Sequence, residues 1–163
     1  MRQFYDTFST PVGDFSVAID ATGAVIATAF GGLAELRGRF AADEMVHEPA
    51  RLAAVDREVS AYFTGDRKEF TLKLSPSGTP FQQSVWTALR KIPIGKTRTY
   101  GELAAEIGNL GAARAIGRAN ATNPISLFIP CHRVIGGDGS LTGYAFGETI
   151  KRQLLEHERA VCS

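Results

Sequence analysis

Cysteine is nearly missing from this 163-residue chain, which has two, Cys131 and the penultimate Cys162. So few thiols, so unevenly placed, exclude a disulfide framework and fit reduced thiols in a reducing compartment. Long apolar runs are missing as well. No stretch approaches the ~18 residues that a membrane-crossing helix requires, so no membrane partner is expected. The opening Met1-Arg2-Gln3-Phe4-Tyr5-Asp6 has neither an apolar core nor a small-residue cleavage site, and an intracellular protein without a secretory leader is expected. Internal repeats and low-complexity tracts are absent. Neither sign of charge dominates: 18 Lys and Arg stand against 17 Asp and Glu, for a net charge of +1. That balance by itself selects no class of partner. Its distribution is less even, since residues 1–80 carry −3 and residues 81–163 carry +4. Such asymmetry permits phosphate contacts in the second half without requiring them.

What is present is ordinary soluble composition, 44% hydrophobic and 21% charged. The length suits one domain of roughly 100–200 residues, or two small lobes sharing a core. The pattern changes near residue 75. Phe15, Val17 and Ile19 alternate with small or polar residues, Ala21-Thr22-Gly23 supplies a turn and Ala24-Val25-Ile26-Ala27 resumes, which predicts a hairpin. Leu52, Val55, Val59 and Tyr62 recur at helical spacing up to Gly65, and Glu69 to Leu74 alternates as a strand. Ser75-Pro76-Ser77-Gly78 is rich in chain breakers. The expected fold class is therefore α+β: a small N-terminal α/β lobe with an antiparallel sheet (1–75), then a mostly helical lobe (79–163).

In that second lobe Thr79-Pro80-Phe81-Gln82 is a capping box with proline at the first helical position, and Phe81, Val85, Trp86 and Leu89 follow on one face. Thr99-Tyr100-Gly101-Glu102 repeats the signature, Leu103 and Ile107 supply an apolar stripe, and Gly108 sits where a helix would end. A short Gly-containing turn then leads to a helix-permissive segment from Ala112 to Asn120, the layout of a helix-turn-helix. Ala112, Ala113, Ala115 and Gly117 would let this helix approach a surface closely, with Arg114 projecting from their midst. Packing on another helix and entry into a nucleic-acid groove both fit.

The chemical centre is Ile129-Pro130-Cys131-His132-Arg133-Val134. Buried cysteines often only pack, but a Cys-His pair also supports covalent chemistry. Glu158, on a terminal helix, could orient the imidazole while His132 takes the thiol proton through a water.

Pro130-Cys131-His132-Arg133-Val134 is similar to the active-site motif of O6-alkylguanine-DNA alkyltransferases. The resemblance runs from Thr79 to Glu158 through Val85-Trp86, Ile92-Pro93-Ile94-Gly95-Lys96-Thr97, Thr99 to Ala104, Ala112 to Gly117, Asn123-Pro124 and Gly143-Tyr144. Residues 1–75 resemble the family's first lobe only in pattern. The resemblance implies Cys131 as alkyl acceptor, His132 and Glu158 as its relay, and Tyr100 as proton donor to N3 of the leaving guanine. It implies Arg114 as the residue filling the base stack, Asn123 as a hinge, and Tyr144, Ala145, Phe146 and Asn120 as the lesion pocket. Relative to Cys131, Tyr100 lies 31 residues before, Arg114 17 before, Asn123 8 before and Glu158 27 after, and all four offsets fit the family.

The implied activity is single-turnover transfer of an alkyl group, mainly methyl, from O6-alkylguanine in double-stranded DNA to Cys131, with O4-alkylthymine a further candidate. Minor-groove binding and base flipping come with it, because an alkyl carbon inside the stack cannot reach a thiolate. No metal or cofactor is expected. Residues 1–80 contain no cysteine and only His47, too few ligands for the zinc site some relatives carry. A monomer is implied, with cooperative binding along DNA left open. It would be cytoplasmic, and nucleoid-associated on DNA, in a bacterium or archaeon. Phe146 stands where many relatives have glycine, which predicts a narrower pocket; Ala145 offers only backbone where some have serine, and Asn120 sits where some have an apolar residue. The rival readings are a lesion-binding protein that transfers nothing and a Cys-His-Glu hydrolase.

Overall fold

The computed structural model describes residues 2–40 and 44–163. The chain divides into two units, Met1–Ser77 and Gly78–Ser163. No helix among the described residues is long and apolar enough to cross a membrane.

In the first unit, β1 (Gln3–Thr10), β2 (Gly13–Ile19) and β3 (Val25–Phe30) form an antiparallel meander, and the short β4 (Met45–His47) joins the outer edge of β1 in parallel. The expected hairpin is β2–β3. Its turn is closed by the Asp20 carboxylate, which accepts from the amides of Thr22 at 2.9 Å and Ala24 at 3.1 Å. β1 lacks a clear alternating signal because Asp6 interrupts Phe4 and Phe8, the two buried members of its inner face. After the short α1 (Leu33–Arg39), α2 (Ala53–Thr64) turns Val55, Val59 and Tyr62 inward. Burying each such side chain stabilises by roughly 1.5–3 kcal/mol. Gly65 ends α2 in the left-handed conformation, φ 85°, as the spacing predicts.

The strand expected over Glu69 to Leu74 does not form, apart from one bridge between Leu74 and Val25. A carboxylate takes the place of a ladder partner there. Glu58 on α2 accepts from the Thr71 amide at 2.8 Å and its hydroxyl at 2.6 Å, drawing the segment away from sheet register.

In the second unit, α3 (Pro80–Leu89) and α4 (Tyr100–Ile107) both begin with complete capping boxes. Thr79 accepts from the Gln82 amide at 3.1 Å and Thr99 from the Glu102 amide at 3.0 Å. Of the apolar face expected on α3, Val85, Trp86 and Leu89 are buried while Phe81 is half-buried. Trp86 donates through Nε1 to the Ala119 carbonyl at 2.9 Å, which fixes α3 against α5 (Ala113–Ala121). Gly78 is required by this packing, because a Cβ there would lie 2.5 Å from the Trp86 ring. Gly108 ends α4 with φ 85°, and a single 3-10 turn leads into α5, so the expected helix-turn-helix is present.

Two further elements position the site. β5 (Arg98–Thr99) pairs in parallel with β6 (Val134–Ile135), Arg98 opposite Val134. That ladder brings Tyr100, the first residue of α4, to the chain segment that carries Cys131. The last helix, α6 (Glu148–Cys162), buries Lys151, Leu154, Leu155 and Glu158. These positions have the i, i+3, i+4, i+7 spacing of one helical face.

Candidate active site

Cys131 opens a 3-10 turn, Cys131–Arg133, and is buried. The turn is braced from several sides. The Cys131 amide donates to the Ile129 carbonyl at 2.8 Å and the Arg133 amide to Pro130 at 3.0 Å. The side chain of Asn123, just after α5, donates to the Ile129 carbonyl at 2.9 Å and accepts from the Ile125 amide at 3.0 Å. It thereby ties the end of α5 to the residue two before Cys131. Between them Leu127 holds φ 75°, a left-handed conformation that costs a bulky residue of order 1–3 kcal/mol. Cys131 Sγ faces the Ser126 hydroxyl at 4.0 Å.

Beside the thiol lies a buried charge relay. His132 Nε2 is 2.7 Å from Glu158 Oε2, and both side chains are closed to solvent. Arg133 grips the same carboxylate with two donors, Nε to Oε1 and Nη2 to Oε2, each at 2.9 Å. Its remaining Nη1 donates to the Ile92 carbonyl at 2.7 Å. Burial raises the Glu158 pKa, but attraction to and hydrogen bonds from His132 and Arg133 outweigh it and hold the carboxyl well below the usual range. Glu158 is therefore an anion. Burial lowers the His132 pKa; Glu158 opposes this, while the positive charges of Arg133 and Lys151 add to it. His132 is therefore neutral near pH 7.

These two charge states settle the tautomer. A carboxylate can only accept, so the single imidazole proton sits on Nε2. Nδ1 carries the lone pair, and it is buried with no hydrogen-bond partner among the described residues. A neutral imidazole with a buried, unengaged basic nitrogen one residue from a thiol is arranged to receive a proton.

Arg133 and Lys151 were not singled out by sequence reasoning. Lys151 is fully buried and donates to the Val134 carbonyl at 2.6 Å. Burial lowers its pKa, opposed by attraction to a Cys131 thiolate and to Glu148. Its charge thus favours the ionised thiol. The signal was available: Lys151 lies seven residues before Glu158, two turns along the same helical face.

Tyr100 is half-buried. Burial raises its pKa, with the Asn120 side chain opposing and a Cys131 thiolate reinforcing the rise. The phenol therefore stays protonated at neutral pH and lies within the field of Cys131. Its hydroxyl borders Gly143, where a Cβ would stand 3.2 Å away. Asn120 is buried and donates through Nδ2 to the Cys131 carbonyl at 3.3 Å. Tyr144 is buried and meets the half-buried Phe146 edge-on, ring centroids 5.6 Å apart, with Ala145 exposed between them.

The face of α5 opposite its buried Ile116, Ala119 and Asn120 carries Ala113, Arg114 and Arg118 exposed, with Ala115 and Gly117 half-buried. Ala112 is buried, so the outward small-residue face is narrower by one residue than the sequence suggests. Gly117 is informative. A Cβ there would have nothing within 4 Å, so no internal contact demands glycine, which costs a helix about 1 kcal/mol relative to alanine.

Residues 80–160 match the family described as 6-O-methylguanine DNA methyltransferase, DNA binding domain. The chain is 45% identical over 155 residues to the methylated-DNA–protein-cysteine methyltransferase of Methanosarcina acetivorans, covering 95% of this chain and 97% of that one. To the Mycobacterium tuberculosis protein of the same name it is 50% identical over 127 residues, 72% and 76% of the two chains. Among solved structures, Mycobacterium tuberculosis OGT in complex with DNA superposes with a TM-score of 0.88 at 39% identity, covering 97% of this chain and 94% of that one. An O6-methylguanine-DNA methyltransferase from Pyrococcus kodakaraensis gives 0.70 at 27% identity over 96% and 98%.

Proposed function

This chain belongs to the methylated-DNA–protein-cysteine methyltransferase family, and we propose that it repairs duplex DNA by moving the alkyl group of O6-alkylguanine onto Cys131. The observation that carries the reading is the relay of Glu158, His132 and Cys131 with its assigned tautomer. His132 Nδ1 takes the thiol proton, through a water since adjacent side chains seldom face each other. The imidazolium that forms is stabilised by Glu158, which Arg133 holds in place. The Cys131 sulfur attacks the alkyl carbon in line; the S–C bond forms, the C–O6 bond breaks and its electron pair passes into the guanine ring. Tyr100 donates its proton to N3, and the proton lost by the thiol makes good the phenol's loss. The products are a thioether on Cys131 and guanine, whose N3 proton is exchanged for one on N1 through water to restore the ordinary tautomer. Nothing in the site can hydrolyse a thioether, so each molecule acts once.

DNA binding is supported by the family match and by the DNA complex of the mycobacterial relative. The bare face of α5 fits close approach to the minor groove, where Arg114 takes the space vacated by the flipped base. Asn123 links that helix to the Cys131 turn. The protein works as a monomer, and cooperativity along DNA is a matter for binding isotherms. Incubation with a duplex carrying radiolabelled O6-methylguanine is expected to place one methyl per protein on Cys131. Repeated turnover would identify a hydrolase instead, and tight binding without transfer a lesion-recognition protein.

Phe146, held edge-on against Tyr144, narrows the lesion pocket. Methyl adducts are expected to react faster than benzyl adducts, and Phe146→Gly should speed the benzyl reaction by about 10-fold, the effect of relieving ~1–3 kcal/mol of overpacking. Single-turnover rates on both adducts check this; an unchanged methyl-to-benzyl ratio in the variant removes the role assigned to Phe146.

A further inference from the structure

Asn120 is a polar residue at a position where packing alone would take an apolar one. It lies on the inner face of α5 with Ile116 and Ala119 and is 2% exposed. Asparagine is a poor helix former, and an amide taken out of water costs free energy unless it is hydrogen-bonded. Its Nδ2 donates to the Cys131 carbonyl at 3.3 Å, and because a carbonyl can only accept, that bond fixes which way round the amide lies. The same side chain is hydrogen-bonded to the Tyr100 phenol. Burial raises the phenol's pKa, the bond from Asn120 lowers it and a Cys131 thiolate raises it again. A hydrogen bond that lowers an acid's pKa is one that favours the ionised form, so the amide donates and the phenol oxygen accepts. An NH2 group carries two hydrogens, enough for both acceptors. One buried amide on α5 thus ties the first residue of α4 to the turn that bears the nucleophile.

We infer that Asn120 is a positioning residue for proton transfer: its NH2 group spans Tyr100 Oη and the Cys131 carbonyl, turns the phenolic hydrogen away from the amide into the site, and steadies the phenolate left behind. The inference rests on the reading of Tyr100 as proton donor to N3 of the leaving guanine. With one lone pair of Oη engaged by Asn120, the O–H is directed elsewhere and is ready for N3. The charges then set an order. While Cys131 is a thiolate, its negative charge opposes a second anion beside it, and Tyr100 keeps its proton. Forming the S–C bond neutralises the sulfur and carries the electron pair of the C–O6 bond into the guanine ring. The O–H bond of Tyr100 breaks, the N3–H bond forms, and the negative charge comes to rest on Oη, where Asn120 donates to it. The proton held by His132 then restores the phenol, so protons and charge balance.

The test is a double-mutant cycle on single-turnover methyl transfer from an O6-methylguanine duplex at saturating protein. Wild type, Asn120→Leu, Tyr100→Phe and the double variant are compared, with thermal melting to verify folding. Asn120→Leu keeps the branched shape and is expected to slow transfer by about 10-fold, the size of one hydrogen bond to a charged group. In the Tyr100→Phe background the same substitution should change the rate by no more than about twofold, because no phenolate forms there. Equal losses in both backgrounds overturn the inference, since Asn120 then acts through the Cys131 turn alone. A second readout is 3-fluorotyrosine at position 100, whose fluorine resonance follows ionisation of the phenol. Its titration midpoint should rise by about one pH unit in Asn120→Leu, the equivalent of the same 10-fold. A merely structural role predicts the opposite sign, because a loosened site admits water and lowers the midpoint. An unchanged or lower midpoint therefore also overturns the inference. Failure of the underlying reading looks different: the wild type takes up no methyl, or Tyr100→Phe transfers as fast as the wild type, and the inference falls with it.

Discussion

Cys131→Ala is expected to bind a duplex carrying O6-methylguanine as the wild type does and to accept no methyl from it. The sulfur is the only part of the side chain that alanine lacks, and its removal from a buried site costs about 1 kcal/mol through lost contacts and a small cavity. The Cys131 turn survives, since it is held by backbone hydrogen bonds to Ile129 and Pro130 and by the Asn123 side chain. The surface of α5 is untouched. Binding and chemistry should therefore separate, with affinity measured by gel shift over a salt series and transfer by label on intact protein. The comparison also disposes of the second thiol. Cys162 is exposed, lies near the Ile94 carbonyl at 3.5 Å and belongs to no relay. If Cys131→Ala still took up one methyl per molecule at a comparable rate, Cys131 would not be the acceptor and the mechanism would be wrong.

How much of this was legible beforehand varies with the kind of signal. Capping boxes at Thr79 and Thr99 and left-handed glycines at Gly65 and Gly108 are local, and the helices they bound appear where spacing predicts them. Glu69 to Leu74 has the alternation of a strand, yet a strand also needs a partner in register, and the hydrogen bonds of Glu58 prevent that. The reverse holds for β1, where a polar Asp6 hides a strand whose ladder to β2 runs from Phe4 to Thr10. At the site, fixed offsets from Cys131 indicated Tyr100, Asn123 and Glu158, whereas Arg133 was seen only as part of the motif, without a role, and Lys151 escaped notice. Both carry full charges that composition assigns to the surface, and both are buried because Glu158 and the Val134 carbonyl receive them. A buried carboxylate on a helix should have prompted a search for cations on its face and beside it. The orientation of the Asn120 amide could not be read from sequence at all, since it is set by hydrogen bonds to the Cys131 carbonyl and the Tyr100 phenol.

Glu158→Gln is expected to keep the fold, melt at lower temperature and slow methyl transfer by about 10²–10⁴-fold, the range over which a positioned general base contributes. The amide is nearly isosteric with the carboxylate but carries no charge, and it must present either an acceptor or a donor to each neighbour. The Arg133 guanidinium then keeps its bond to the Ile92 carbonyl but loses its counterion. Breaking a buried pair in this way costs about 3–5 kcal/mol. If the amide turns its NH2 toward His132, the imidazole proton moves to Nδ1 and the lone pair that should receive the thiol proton is gone. The dependence on pH distinguishes this from simple loosening. An ordinary thiol ionises near ~8.5 without help, so the rate gap between variant and wild type should narrow as pH is raised through that range.

Stability gives a second signature. Glu158 has a folded-state pKa below its ordinary 4.5, so its contribution is fully present above that value and is lost as pH falls toward the folded-state one. The folded-state pKa of His132 is also depressed, below its ordinary 6.5, so the unfolded chain gains a proton there first and acid again favours unfolding. Both groups tilt wild-type stability downward with acid, His132 beginning near pH 6.5 and Glu158 near 4.5. In Glu158→Gln the lower part of that slope should flatten, because the glutamine does not titrate, while the upper part persists. A variant that reacted within threefold of the wild type and kept the full acid slope would show that Glu158 neither orients His132 nor is held as an anion by Arg133.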